Sequence, residues 1–222
     1  MNKPYTSFAK LLTLSLAVSM SLSAFSQAFR QGSFCMSASE GSTFSNYSTS
    51  SDINPRAGSS RLFCGNRDPL IFEYGLTNHW GIGSSFGTDL FNVDPSAFYG
   101  LKSSTATAKV TTSEVGLDLS YHFLVSKHTD LSAMVSVGTT SVSMKGTDGE
   151  TAYQYSASGF VYRTGVRARY YVCKRFNFFG MISSYTTNYS SDNVKGNTVA
   201  GNYVTSISGY AYELGFGYKF CR

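Results

Sequence analysis

The chain has 222 residues with 18 Lys and Arg against 13 Asp and Glu, a formal charge of +5. Two of those lysines, Lys3 and Lys10, fall in an export signal, so the remainder is only mildly basic and has no Lys/Arg run, which excludes an electrostatic nucleic-acid footprint. Aromatic residues make up 15 % and charged residues only 14 %, a balance that argues for β structure throughout and little helix.

Residues 1–26 read as a secretory signal peptide. Lys3 and Lys10 form its basic start, residues 11–22 are apolar with interspersed Ser and Thr, and Ala24, Phe25 and Ser26 give a small–any–small cleavage site. The mature domain is then expected to cover residues 27–222. The apolar core is too short and too diluted by hydroxyls for an anchor helix. Cys35 follows Gly32, Ser33 and Phe34 rather than a lipobox, which argues against lipidation. Beyond the signal no run of about 18 apolar residues occurs, so no spanning helix is expected.

The mature region parses into eight alternating segments, because successive strand side chains point to opposite faces. Residues 31–40 set Phe34, Met36 and Ala38 against Ser33, Cys35 and Ser37. Residues 70–76 set Leu70, Phe72, Tyr74 and Leu76 against Glu73 and Gly75. Residues 80–90 set Trp80, Ile82 and Phe86 against Gly81, Gly83, Ser85 and Gly87. Residues 114–124 oppose Val115, Leu117, Leu119, Tyr121 and Phe123 to Glu114, Gly116, Asp118, Ser120 and His122. Residues 131–144 oppose Leu131, Ala133, Val135 and Val137 to Ser132, Ser136 and Gly138. Residues 159–173 oppose Phe160, Tyr162, Val166, Ala168, Tyr170 and Val172 to Arg163, Gly165, Arg167 and Arg169. Residues 177–185 alternate poorly. The last segment, 210–220, is the clearest: Tyr210, Tyr212, Leu214, Phe216, Tyr218 and Phe220 against Ala211, Glu213, Gly215, Gly217 and Lys219.

The connections 77–79, 125–130 and 174–176 are short. Residues 41–69, 91–113, 145–158 and 186–209 are longer and rich in Ser, Thr, Gly and Asn. Alternating short turns and long loops suit an all-β, eight-stranded antiparallel up-and-down transmembrane β-barrel, with short periplasmic turns, long extracellular loops and both termini in the periplasm. Hydrocarbon tolerates no open sheet edge, so the first strand must pair with the last. A soluble lipocalin-like ligand carrier, with the apolar face turned inward, is the alternative fold.

Several stretches carry a resemblance. Residues 73–83, Glu-Tyr-Gly-Leu-Thr-Asn-His-Trp-Gly-Ile-Gly, look like the second hairpin of the small outer-membrane β-barrel proteins of the OmpA/OmpX type, within the porin-like superfamily. Residues 165–172 with Lys174, Arg175 and Phe176 look like the sixth strand and turn of that group. Glu213, Gly215, Tyr218 and Phe220 resemble its C-terminal sorting signal, read by the barrel assembly machinery. The resemblance covers the mature chain and implies a location in the outer-membrane lipid of a Gram-negative cell envelope, but names no ligand or activity.

The inward face gathers Glu73, Glu114, Asp118, Arg163, Arg167, Arg169, Glu213 and Lys219. These are either a charged constriction that filters ions or a buried ion-pair network that plugs the barrel. An eight-stranded interior has room for little beyond its own side chains, which favours the plug. No catalytic residue, cofactor or metal site is expected. His79 and His128 fall in short turns, His122 lies near one, and no His has a Ser two residues on. Gly81, Gly83 and Gly87 lack phosphate-loop spacing. Cys35, Cys64, Cys173 and Cys221 show no metal-ligand spacing; they allow three disulfide pairings, and free thiols fit equally. Trp80, Tyr121, Phe123, Phe176, Phe178, Tyr218 and Phe220 sit beside the short turns and read as an interfacial girdle. Tyr47, Tyr99, Tyr153, Tyr155, Tyr189 and Tyr203 sit in the polar loops, as binding anchors for a surface ligand or as mere solvated loop. The expected function is a non-enzymatic integral outer-membrane protein with a structural or surface-interaction role, at most a narrow passage for water or ions. A lipid-modifying barrel enzyme is the alternative.

Overall fold

The structure is a computed structural model that describes residues 28–51, 61–93, 107–148, 151–191, 194–195 and 203–220. The expected signal peptide, Cys221 and Tyr99 lie outside these residues, as do the side chains of Tyr47, Tyr153, Tyr155 and Tyr203. Ten strand segments follow one another: β1 (Phe34–Ser51), β2 (Arg61–Arg67), β3 (Leu70–Gly75), β4 (Trp80–Val93), β5 (Thr107–Val125), β6 (Thr129–Asp148), β7 (Thr151–Tyr171), β8 (Phe176–Ser191), β9 (Val194–Lys195) and β10 (Tyr203–Phe220).

These segments build eight staves. β2 and β3 are one stave, because both keep the same register against β1, with Gly41 opposite Arg67 and Ala38 opposite Leu70. The ladder runs on through the gap: Ser39 N–H donates to the Pro69 carbonyl and Asp68 N–H to that of Thr88, both at 3.1 Å. Pro69 has no N–H to give, which explains the two-residue interruption. β9 is a two-residue flap on β7. β1 and β10 close the ring antiparallel from Phe34–Phe220 to Ser51–Tyr203, so the expected first-to-last pairing is present and the described sheet has no open edge along this seam.

Followed partner by partner around the ring, the Cα pairs lead from Ser45 through Gly209, Tyr185, Arg163, Ser136, Asp118, Gly83 and Glu73 to Cys35, ten residues below the start. That stagger over eight staves corresponds to a strand tilt of about 40°. The tilt stacks inward side chains of different strands into common cross-sections, and this is what brings distant charges together.

The outer wall has two zones. Near the short turns it is apolar: Leu117, Leu119, Val135, Val137, Phe160, Ile182, Tyr212, Leu214 and Phe216 stand exposed, Leu214 at 76 %. In water so large an apolar belt would drive aggregation. On β10 it spans Tyr210 to Phe220, the length of strand that crosses a bilayer. Beyond it the outward residues become Ser42, Asn46, Ser113, Thr139, Ser141, Ser158, Thr186 and Asn188, all exposed. At the turn end Trp80 meets Tyr121 at 4.9 Å between ring centroids, Phe176 meets Phe178 at 5.1 Å and Tyr218 meets Phe220 at 4.8 Å, at the level expected for a girdle.

Two expectations are corrected. The segments 41–69, 145–158 and 186–209 are strand over most of their length, and 91–113 is strand at both ends; β1, β2 and β4 to β10 extend into them. β6 and β7 are joined through residues 149 and 150 alone, with Asp148 paired to Thr151, so short and long connections do not strictly alternate. The reason is physical. Once the outer face of a strand turns polar, the oily stripe that marks it in sequence is lost, while Thr and Tyr keep their preference for extended backbone. Tyr189, read as a loop anchor, lies inside β8, 1 % exposed, with its hydroxyl 3.1 Å from that of Thr140.

Candidate functional site

The site is the lumen, which is filled in layers by side chains from every stave. Nearest the turns, Glu73 of β3 accepts hydrogen bonds from Arg167 at 2.8 Å and from Arg169, both of β7. Asp130 of β6 accepts from Arg169 at 3.1 Å. His122 of β5 lies between the two acids, with Nε2 3.1 Å from Glu73 and Nδ1 2.7 Å from Asp130. Both nitrogens can donate at once only when the ring carries both protons. All of these groups are buried, His122 and Asp130 completely.

A second charge layer lies toward the far end, around Arg67 of β2. Its Nε donates to Glu213 of β10 at 3.0 Å, Nη1 to Asp89 of β4 at 3.1 Å and Nη2 to Glu114 of β5. Arg163 of β7 also holds Glu114, at 2.9 Å, and lies 4.8 Å from the ring centroid of Tyr185. Ser39 donates to Glu213 and Thr112 to Asp89. A Cβ on Gly87 would stand 2.9 Å from Arg67 Nη2, so the glycine makes room for the guanidinium. Ile71, Met134, Phe179 and Met181 form an apolar cluster of their own in the interior. Toward the far rim Phe91, Val110, Val142 and Ile207 are buried again.

Of the eight lumen charges expected from sequence, Glu73, Glu114, Arg163, Arg167, Arg169 and Glu213 join these ion pairs. Asp118 is buried but accepts a hydroxyl, that of Ser85 at 3.0 Å. Lys219 is buried and donates to the Ala28 carbonyl at 3.0 Å, with its ammonium 5.1 Å from the Tyr171 ring centroid. Four members escaped the sequence reading. By pattern alone Arg67 falls in a loop, Asp130 in a turn and His122 at a rim. Asp89 has the same parity as Gly87 and was reachable by continuing the alternation two residues. In the sorting-signal segment Glu213 points inward, while Tyr218 and Phe220 point outward. Cys35, Cys64 and Cys173 are free thiols, and Cys35 is fully buried.

One constellation imitates catalytic geometry. Ser120 Oγ lies 3.2 Å from His122 Nε2, and His122 Nδ1 lies 2.7 Å from Asp130, the order of a nucleophile, base and orienting acid. Glu73 contradicts that use. Its Oε1 accepts from the Ser120 hydroxyl and also faces His122 Nε2, so the nitrogen that would take the serine proton already serves a carboxylate. Phe29 stacks on the imidazole with centroids 3.5 Å apart, covering what a substrate would need.

Among solved structures the fold has clear likenesses. The outer membrane protein OprG from Pseudomonas aeruginosa matches at 14 % identity, over 88 % of this chain and 99 % of that one, with a TM-score of 0.57. The attachment invasion locus protein Ail of Yersinia pestis matches at 15 % identity over 86 % of this chain and 99 % of its own, TM-score 0.49. The outer membrane protease OmpT from Escherichia coli matches at 10 % over 89 % and 99 %, TM-score 0.48. No family model and no curated protein matches the chain. At 14 % identity the likeness to OprG is one of fold: the chain has an all-β, antiparallel barrel fold like that of this outer-membrane protein.

Proposed function

We propose that this chain is an integral outer-membrane β-barrel protein, exported by a signal peptide at residues 1–26, with a structural or surface-interaction role and no enzymatic one. The observation that carries this reading is the filled lumen. Two layers of buried ion pairs, an apolar cluster and an apolar far rim leave side chains where a channel would need water. The ion pairs act as a structural network that holds the staves in register, and the apolar belt faces lipid. Glu213, Gly215, Tyr218 and Phe220 serve the assembly machinery before closure, since in the closed barrel Glu213 is consumed by Arg67 and Ser39.

The hydroxyl-rich wall beyond the belt supports the surface role. It places Lys109 and Lys145 directly opposite one another on β5 and β6, both exposed, among Ser and Thr and close to the far ends of their strands. Opposed like charges are unfavourable until an anion covers them.

Planar-bilayer recording tests the sealed lumen. Purified protein is expected to give no steady openings above leak at moderate voltage. Steady openings, suppressed by Arg167→Ala, would mean that the charges line a passage.

A further inference from the structure

The residues just before β1 do not hang free. Residues 28–33 cross the mouth of the barrel. They leave the start of β1 and reach the turn between β5 and β6, which lies directly opposite the β1–β10 seam in a ring of eight. Ala28 N–H donates to the Ser126 carbonyl of that turn at 3.0 Å. Ala28 and Phe29 are 1 % and 0 % exposed, and the Phe29 ring lies parallel to His122 within 8°. Lys219 of β10 reaches the Ala28 carbonyl from the seam. The segment then turns at Gly32, φ 75°, with Gly32 N–H on the Gly75 carbonyl at 2.8 Å and Gly75 N–H on that of Ser33 at 2.9 Å. Gly75 has no Cβ to spare for this crossing, since one would collide with the Arg30 carbonyl and lie 3.2 Å from the Phe29 ring.

The geometry points to a releasable strap. Residues 28–33 seal the turn end of the lumen by inserting Phe29 under the Glu73–His122–Asp130 layer, and their displacement opens that layer to water while the far rim stays shut. The strap is held by a few backbone bonds, by the Gln31 N–H on the Asn78 side chain at 3.1 Å, by contacts of Arg30, by the Lys219 ammonium and by the Phe29 ring stack, whereas the seam beside it is paired over eighteen residues from Phe34 to Ser51. Segments with few bonds open locally long before the ladder does. The inference goes beyond the proposed role, since it concerns one end of the lumen and holds whether or not the whole barrel conducts.

Cys35 is a built-in reporter. It is completely buried on the lumen side of β1, opposite Lys219 on one neighbour and Glu73 on the other. Cys64 on the outer wall is exposed, and Cys173 in the turn before β8 is partly so; both serve as controls. The folded barrel is treated with a negatively charged methanethiosulfonate and the modified cysteines are mapped by peptide mass. In the native chain Cys35 is expected to react at least about tenfold more slowly than Cys173, and in Phe29→Ala to approach its rate, with heat-modifiable gel mobility retained. Gly75→Ala, which pushes on the strap backbone without touching a lumen charge, should do the same and decides the matter if Phe29→Ala fails to fold. Cys35 reacting as fast as Cys173 in the native chain, or staying protected in a folded strap variant, would overturn the strap. Bilayer conductance reads the whole lumen and this labelling reads its turn end alone, so failure of one is distinct from failure of the other.

Discussion

Replacing Arg67 by Met is expected to cost about 3–5 kcal/mol of folding stability, the usual consequence of removing one partner from a buried charge cluster. Arg67 is 1 % exposed and meets three carboxylates, Asp89, Glu114 and Glu213, on three different staves. Without it only Arg163 still faces Glu114. Asp89 keeps the Thr112 hydroxyl and Glu213 that of Ser39, which do not compensate a buried negative charge. Arg67→Lys should recover part of the loss, because a single ammonium cannot present three donors in the planar fork that these acids receive. Urea unfolding of the vesicle-reconstituted protein measures this as a lower midpoint at unchanged slope. Arg67→Met combined with Glu213→Gln should lose less than the sum of the two single changes, since the second removes a charge that the first has stranded. A loss below about 1 kcal/mol would mean that water already solvates these acids and that the layer is not sealed.

Leu214→Arg is the second large effect, expected at about 2–4 kcal/mol, the range for a cation at the midplane of the lipid face of a barrel. Leu214 is the most exposed large apolar side chain in the described residues and lies midway along the outward row of β10, between Tyr212 and Phe216. The size of this result tests whether the outward face meets lipid. Were that face wetted by water, a surface Leu→Arg change away from any contact would move stability by no more than about 0.5 kcal/mol. Leu214→Ala in the same lipid should cost less than Leu214→Arg, because it removes apolar area without placing a charge in hydrocarbon.

The barrel was legible in the sequence wherever one face of a strand is oily and the other is not. β5 and β10 were plain for this reason, with Val115 to Phe123 and Tyr210 to Phe220 on one side and small or charged residues on the other. β8 was blurred because its inward face carries Phe179 and Met181, which feed the inner apolar cluster, so both faces look alike. The upper halves of the strands were illegible for the opposite reason: Ser, Thr and Asn fill the outer face there, and pattern reading turned strand into loop. This one misreading hid Arg67, whose stave begins in a stretch that looked like linker. His122 was assigned the correct face and the wrong surroundings. Sequence spacing places it near a turn, but only the stagger of the ring and the crossing of Phe29 bury it between Glu73 and Asp130. The strap itself left no signal, since residues 28–30 precede the alternating run and the single charge there, Arg30, announces no long-range partner by its spacing.

The belt against lipid is the claim on which the rest stands, and the chain carries its own probe. Trp80 is the only tryptophan, exposed on the outer wall at the turn end beside Tyr121. In vesicles of brominated phosphatidylcholine its emission should be strongly quenched, more by bromines near the headgroup than by those near the chain end. With Trp80 replaced by Phe, a tryptophan at Leu117 should be quenched most by deep bromines, and one at Met181, on the inner wall, hardly at all. Emission from Trp80 and from position 117 that ignores bromine at every depth and yields instead to aqueous iodide would contradict the account.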